Sequence, residues 1–153
     1  VAIVDFDVHH GNGTQAIFEA DGGVFYASTH QTPLFPGTGK ATERGVGNIV
    51  NVPLPPMSGS EEFRAAISEI ISPKLIEFHP ELLMISAGFD AHIDDPLASL
   101  CLTEEDFAWV TEELMRVADL VCDGKIVSVL EGGYDLEALA HSAAAHVRTL
   151  MKA

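Results

Sequence analysis

Side chains that can bind a metal ion are concentrated in one short segment near the start of the chain. Asp5, Asp7, His9 and His10 end or follow an apolar run that begins at Val1, and a glycine-rich turn comes next. If the run is a β-strand, positions 5, 7 and 9 share one face because successive side chains alternate. Carboxylates and imidazoles are costly to bury together without a cation, and such oxygen and nitrogen ligands suit Zn²⁺. The pattern therefore predicts a metal site at the end of this strand.

A third zinc ligand is expected from Asp95, in the Asp95-Pro96 turn that follows a later apolar strand. Three protein ligands, Asp7, His9 and Asp95, would leave a fourth position open, as in catalytic rather than structural zinc sites. The alternative is that Asp7 and His9 only cap the glycine turn and that Asp95 is an ordinary turn aspartate.

Asp5 lies one step deeper in the strand and needs its own compensation, from a second cation or a hydrogen-bonded histidine. Ser28 and the carbonyl of Thr29 lie at the end of the next apolar run and offer hard oxygen atoms. Such ligands favour an alkali or alkaline-earth ion. The sequence thus predicts a second cation beside the first.

Further residues suited to a reaction site lie in turns. Tyr134 follows Gly132 and Gly133, and its hydroxyl could donate to an oxyanion near the metal, although an ordinary half-buried loop tyrosine is the alternative. Phe35, held in a Pro-Gly turn, either lines an apolar channel or simply packs. His10 and Asn12 sit in the glycine turn, where His10 is expected to be a hydrogen-bonded structural histidine.

The elements that must position these residues alternate along the chain. Near-continuous apolar runs predict buried strands at 1–6, 24–27, 48–52, 82–86 and 126–130. Helical patterns begin near Ser60, Thr103 and Asp135, and Pro73 is expected to break or kink the first of them. Strands alternating with helices indicate an α/β fold with a mainly parallel sheet between helical layers, and ligands bind such sheets beyond the carboxyl ends of the strands.

Size and charge limit the classes of function. The 153 residues suit one domain, and 8 basic against 23 acidic residues give a net charge of −15. This field disfavours direct binding of nucleic acid and would attract cationic ligands. No apolar run approaches the roughly 20 residues of a membrane span. Cys101 and Cys122 lie outside any CxxC motif and predict free thiols in a reducing cytoplasm.

The motifs taken together resemble a known family. The runs 5–14 (DFDVHHGNGT), 35–39 (FPGTG), 86–92 (SAGFDAH) with 95–97 (DPL), and 131–134 (EGGY) resemble the histone deacetylase superfamily, which includes acetylpolyamine amidohydrolases and acetoin-utilisation proteins. The resemblance runs in order through the whole chain. Asn12 stands where class I members carry an aspartate, so the chain is most similar to bacterial, class II-like members.

This resemblance implies a three-layer, arginase-like α/β/α fold and a set of site residues. It implies zinc on Asp7, His9 and Asp95, and potassium on Asp5, Asp7, Ser28 and the carbonyls of His9 and Thr29. A second potassium would use backbone carbonyls near Phe18 and Val24. Phe35 would form one wall of an acyl-lysine tunnel with Gly132 and Gly133 near its floor, Tyr134 would donate to the oxyanion, and His10 and Asn12 would support the ligands.

The expected function is a zinc-dependent amidohydrolase that removes acetyl groups from acetyl-lysine, an acetylpolyamine or another small acetylated amine. A non-catalytic module that binds acyl-lysine is one alternative, and a binuclear manganese hydrolase is disfavoured by Ser28 and Thr29. The family's tandem histidines, base and acid, precede the zinc strand and have no counterpart here. Residues 1–153 are therefore expected to be the C-terminal part of one catalytic domain. On their own they are expected to be inactive and of doubtful stability, and the protein could form a homo-oligomer.

Overall fold

The computed structural model describes residues 1–152 as alternating strands and helices. The elements follow the chain as β1 (Ala2–Asp5), α1 (Asn12–Phe18), β2 (Phe25–Gln31), β3 (Ile49–Leu54), α2 (Ser60–Ala65), a π-helical segment (Ala66–Ile71), α3 (Ser72–Phe78), β4 (Leu83–Ala87), α4 (Glu104–Cys122), β5 (Ile126–Leu130) and α5 (Leu136–Leu150).

The five strands form one sheet in the order β3-β2-β1-β4-β5, and every neighbouring pair is parallel. The predicted α/β fold with flanking helices is thus confirmed. β1 is central, and Asp5 at its end lies opposite Ser28 of β2 and Ser86 of β4. All carboxyl ends of the strands therefore open onto the same edge, where the candidate residues lie.

The two faces of the sheet are covered unequally. Ala2 and Val4 of β1 point into the main core, which the apolar faces of the helices between β3 and β4, of α4 and of α5 complete. Ile3 points the other way and packs with Tyr26 and Ile49 in a small cluster beside α1 and its following loop. Asp5 shares the parity of Ile3, so its carboxylate belongs to the thinly covered face.

The helices differ in two places from the sequence prediction. Pro73 does not break the helix, because it occupies the first turn of α3, where its missing N–H costs little, and a π-helical segment precedes it. The seven-residue α1 was not predicted, since a helix this short shows no apolar stripe. None of the helices within residues 1–152 has the length and apolar character needed to cross a membrane.

Candidate metal centre

Two strand-end loops bring two carboxylates and one imidazole together. Nδ1 of His9 lies 3.2 Å from Oδ1 of Asp7 and 3.1 Å from Oδ2 of Asp90. Asp7 and His9 follow β1, whereas Asp90 follows β4, and Asp90 is fully buried. Tetrahedral zinc with bonds of about 2.0–2.2 Å separates its ligand atoms by about 3.3 Å. The side chains present therefore fit a zinc ion.

The electrostatics of this cluster also favour a cation. Burial raises the pKa of Asp90 well above its usual range, and the neighbouring charge of Asp7 adds to the effect. Only a cation between these groups would let both carboxylates stay charged at low cost. The remaining oxygens are already used, since Oδ1 of Asp90 accepts from the Val8 N–H at 2.9 Å and Oδ2 of Asp7 accepts from the Gly132 N–H at 2.8 Å.

Asp95 lies outside this group of ligand atoms, and its expected role as the third zinc ligand stays a prediction. Its Oδ2 accepts from the N–H of Tyr134 at 2.8 Å and from that of Asp135 at 3.4 Å, while Oδ1 accepts from the N–H of Leu97 at 3.0 Å. Asp7 likewise accepts backbone N–H groups on both oxygens, from His9 at 2.8 Å and from Gly132 at 2.8 Å, so such hydrogen bonds do not exclude a metal ligand. Asp90 and Asp95 are therefore both candidates for the third place.

A sequence signal for Asp90 was available. Asp7 stands two residues beyond the end of β1 and Asp90 three beyond the end of β4, and the two strands are in register with Asp5 opposite Ser86. Asp95 stands five residues further along its loop. Distance from the strand end favours Asp90, whereas the stiff Asp95-Pro96 turn and the family resemblance favour Asp95.

Tyr134 reaches the same site through the loop after β5. Gly132 allows the close approach of this loop, because a Cβ at this position would lie 2.6 Å from Oδ2 of Asp7 and 2.7 Å from the Asp90 carboxyl carbon. Partial burial, together with the charges of Asp90 and Asp7, raises the pKa of the Tyr134 phenol. Its hydroxyl therefore stays protonated and remains a hydrogen-bond donor near the metal centre.

Asp5 is compensated by a tyrosine rather than by a histidine. The Tyr26 hydroxyl donates to Oδ2 of Asp5 at 2.9 Å, yet burial still raises the pKa of Asp5 to about 8. Nearby, Nε2–H of His30 donates to the Gly39 carbonyl, so Nδ1 accepts from the hydroxyl of Ser28 at 2.9 Å. The oxygen lone pairs of Ser28 are therefore available for a cation beside Asp5.

The place expected for a second potassium is taken by a side chain. The carbonyls of Phe18, Asp21 and Val24 converge on Nδ2 of Asn48, at 2.8, 2.9 and 2.7 Å. An amide with two N–H groups bonds to oxygen atoms that would otherwise face a cation. A potassium ion at the carbonyls of Phe18 and Val24 stays a prediction that competes with the amide of Asn48, a residue that the sequence prediction does not name.

A cavity of about 500 Å³ opens onto the metal centre. Its walls include charged and polar side chains (Asp5, Asp7, His9, His10, Thr14, Glu131, Tyr134), glycines (Gly11, Gly132) and apolar side chains (Phe35, Pro36, Leu97). Phe35 is 79% exposed and stands at this wall rather than in the core.

Asn12 begins α1, and its N–H donates to the His10 carbonyl at 2.8 Å. Gly133 follows Gly132 at φ +143° and abuts Leu139.

Comparison with known proteins gives one family. The family model for the histone deacetylase domain matches residues 1–150. A probable deacetylase of Archaeoglobus fulgidus is 48% identical over 90% of this chain and 39% of its own length. Histone deacetylase 14, chloroplastic, of Arabidopsis thaliana is 44% identical over 99% of this chain and 37% of its own length. The chain thus spans well under half of these relatives.

Solved structures agree with the fold. The crystal structure of the HDA15 HD domain superposes on 99% of this chain with a TM-score of 0.92 and 40% identity, and the match covers 44% of that chain. The histone deacetylase Clr3 superposes with a TM-score of 0.93 and 37% identity, over 99% of this chain and 26% of the other.

Proposed function

The chain belongs to the histone deacetylase family, and from that membership we propose that it forms the metal-binding part of a zinc-dependent deacetylase. The observation that carries the proposal is the convergence of Asp7, His9 and Asp90 beneath a cavity that Tyr134 also lines. A zinc ion held by Asp7, His9 and a third carboxylate, either Asp90 or Asp95, would polarise an amide carbonyl and lower the pKa of a water molecule.

The residues of this chain have separate tasks in amide hydrolysis. Asp7, His9 and the third carboxylate would hold the cation beneath the cavity. The Tyr134 hydroxyl donates a hydrogen bond to the amide oxygen as negative charge develops there. The Gly132 N–H, by holding Oδ2 of Asp7, keeps that ligand oriented toward the centre.

A general base for the attacking water comes from outside these residues in the proposed mechanism. Among residues 1–152, the histidines that line the cavity are His9 and His10. His9 faces the two carboxylates, and both ring nitrogens of His10 are engaged by Thr38 and Gln15. We therefore assign the proton transfer to another segment of the complete deacetylase domain.

A potassium ion is proposed near Asp5. The buried carboxylate of Asp5, its neighbour Asp7, the Ser28 hydroxyl and the carbonyls of His9 and Thr29 supply hard oxygen ligands there. Support comes from the raised pKa of Asp5, which indicates a site that a cation would stabilise in its charged form.

The proposed substrate is an acetylated amine with an extended apolar stem. Phe35, Pro36 and Leu97 provide an apolar wall that suits the methylene groups of acetyl-lysine. An acetylpolyamine is the second candidate, because Glu131 at the cavity and the net charge of −15 favour a cationic amine. Turnover of an acetyl-lysine peptide beside acetylspermidine separates these two substrates.

The decisive experiment measures zinc content and deacetylation of a fluorogenic acetyl-lysine peptide, using a complete deacetylase domain that contains this segment. We expect one zinc per chain and turnover, both lost in Asp90→Ala and both kept in Asp94→Ala, a matched control at an exposed carboxylate of the same loop. Zinc retained by Asp90→Ala and lost in Asp95→Ala would assign the third place to Asp95 instead. Bound zinc and peptide without turnover in the unmodified domain would instead favour an acyl-lysine-binding module.

A further inference from the structure

The loop between β2 and β3 carries Phe35 and Pro36 to the cavity wall and is anchored from below by a chain of buried polar side chains. Phe35 itself is largely exposed and contributes little packing to hold the loop. The position of this wall must therefore come from contacts elsewhere in the loop, and these lie at Thr38, Gly39 and Glu43.

The first anchor joins the loop to the residue after the metal ligand His9. Nδ1 of His10 lies 2.7 Å from Oγ1 of Thr38, and Nε2 lies 2.9 Å from Oε1 of Gln15. Since the amide nitrogen of Gln15 donates elsewhere, its oxygen accepts from Nε2–H of His10, and Nδ1 accepts from the Thr38 hydroxyl. Asn51 donates to the same Gln15 oxygen at 2.8 Å and fixes the amide orientation.

The second anchor is a charged hydrogen bond from α1 to the loop. Nε2 of Gln15 donates to Oε2 of Glu43 at 2.8 Å, and the same oxygen accepts from the Gly39 N–H at 3.2 Å. The hydrogen bond from Gln15 lowers the pKa of Glu43, so this carboxylate is charged at neutral pH. Hydrogen bonds to a charged acceptor are stronger than neutral ones.

Close packing at Gly39 leaves the loop little freedom. Nε2–H of His30 donates to the Gly39 carbonyl at 2.9 Å. A Cβ at Gly39 would lie 2.5 Å from that nitrogen and 2.6 Å from the ring of His10, and the backbone has φ +84°. The two histidine rings, with centroids 4.8 Å apart, thus form a floor on which the loop rests.

We propose that Gln15 and Glu43 are positioning residues that hold the Phe35-Pro36 wall over the metal centre and thereby set how well the acyl-amine stem is bound. The inference rests on the proposed function. Gln15 connects three parts of the site, namely the turn after His9, β3 through Asn51, and the loop through Glu43. Neither residue contacts the three metal ligands, so both act on substrate binding and not on metal binding.

The test exchanges the two side chains in a complete deacetylase domain that contains this segment. Gln15→Glu sets two carboxylates against each other, so the loop should shift and KM for the acetyl-lysine peptide should rise about tenfold, with kcat within about twofold. Adding Glu43→Gln restores the hydrogen bond between the two side chains in reversed order but leaves the Gly39 N–H without this acceptor, so KM should return to within about threefold of the unmodified value. Zinc content should stay at one per chain throughout, and Arg44→Ala, at an exposed side chain of the same loop, should change nothing.

An unchanged KM in Gln15→Glu, or a double variant as impaired as the single one, would overturn the inference. So would a loss of kcat accompanied by loss of zinc, since the effect would then lie in the metal centre. Absence of turnover in the unmodified domain refutes the proposed function instead. Amide hydrogen exchange at residues 37–39 then decides the positioning role: faster exchange in Gln15→Glu, reversed by Glu43→Gln, supports it, and unchanged exchange refutes it.

Discussion

The carboxylates of the site are held by backbone N–H groups. In Asp7 and Asp90 one oxygen lies beside the His9 ring, while the other accepts an N–H from a different strand end. The Asp7 oxygen beside the ring also accepts the His9 N–H, and Asp95 accepts backbone N–H groups of the loops after β4 and β5 on both oxygens. Backbone hydrogen bonds thus orient all three carboxylates and do not decide which of them would hold a cation.

Asp95→Ala should separate loop order from metal binding. Removing both acceptors frees the backbone of Tyr134, and misplacing a reacting group by about 1 Å costs on the order of 10² in rate. We expect kcat of the complete deacetylase domain to fall by at least that much. One zinc per chain in elemental analysis would limit Asp95 to ordering this loop, whereas loss of zinc would confirm Asp95 as the third ligand.

Tyr134→Phe tests the oxyanion donor alone. The ring keeps its place at the cavity wall, and only the hydroxyl is lost. Removing one such donor typically lowers kcat by about 10²–10³, so turnover should fall by that factor with zinc content and melting temperature unchanged. A variant with the kcat of the unmodified domain would leave Tyr134 as an ordinary loop residue.

At the scale of single residues, the sequence predicts some residues of the site and misses others. Asp7 and His9 follow from alternation along one strand, which is a local property. Asp90 and Asn48 depend on which atoms meet across the fold, and Asn48 shows no sequence pattern because its three partners are backbone carbonyls. Local spacing therefore predicts the chemistry of the site but does not complete its list of residues.

Strands and helices follow the sequence prediction closely where burial is continuous. The run 126–130 matches β5 in full, and the other strands agree within a few residues, with β2 extended through Gln31 because its polar C-terminal residues are buried under loops. The tolerated Pro73 shows that the position of a proline within a helix decides its effect, because in the first turn of α3 its missing N–H costs little. The unpredicted α1 depends on tertiary contacts such as that of Gln15 with Glu43.

Asn48→Ala tests how α1, β2 and β3 are joined. The substitution leaves the carbonyls of Phe18, Asp21 and Val24 without their shared donor, which should lower the free energy of unfolding by roughly 1–3 kcal/mol. Potassium should then enter among the freed oxygens. We expect the melting temperature of the variant to rise in potassium chloride over tetramethylammonium chloride by more than that of the unmodified chain. An equal rise in both proteins would show that no new cation site had opened.

The whole molecule combines an acidic surface with several neutral buried histidines. His146 packs between α4, α5 and β5, where Nδ1–H donates to Oγ1 of Thr111 and Nε2 accepts from the Ser128 hydroxyl. Burial lowers its pKa. Histidine in an unfolded chain has a pKa of about 6.5. Below this pH the unfolded chain therefore binds a proton at His146 more readily than the folded chain does.

The stability of the folded chain should thus fall with acidification through His146. Protonation of His146 does not change the free energy of unfolding well above about pH 6.5, and it lowers this free energy increasingly as the pH falls below that value. Urea titrations at about pH 7 and pH 5 should show a smaller acid-induced loss in His146→Gln than in the unmodified chain, and His141→Gln, exposed on the same helix, should match the unmodified chain. Equal losses in all three would exclude this role for His146.

The central place of β1 has a consequence for the order of assembly. Its partner β4 comes from a distant part of the chain. The hydrogen bond from the Val8 N–H to Asp90 likewise joins residues that are 82 positions apart. At roughly 5–20 residues per second of synthesis, β1 waits several seconds or more with one side unpaired. Topologies dominated by such long-range parallel pairings fold slowly. The geometry that gathers the metal ligands at one sheet edge therefore also delays the moment at which they can first meet.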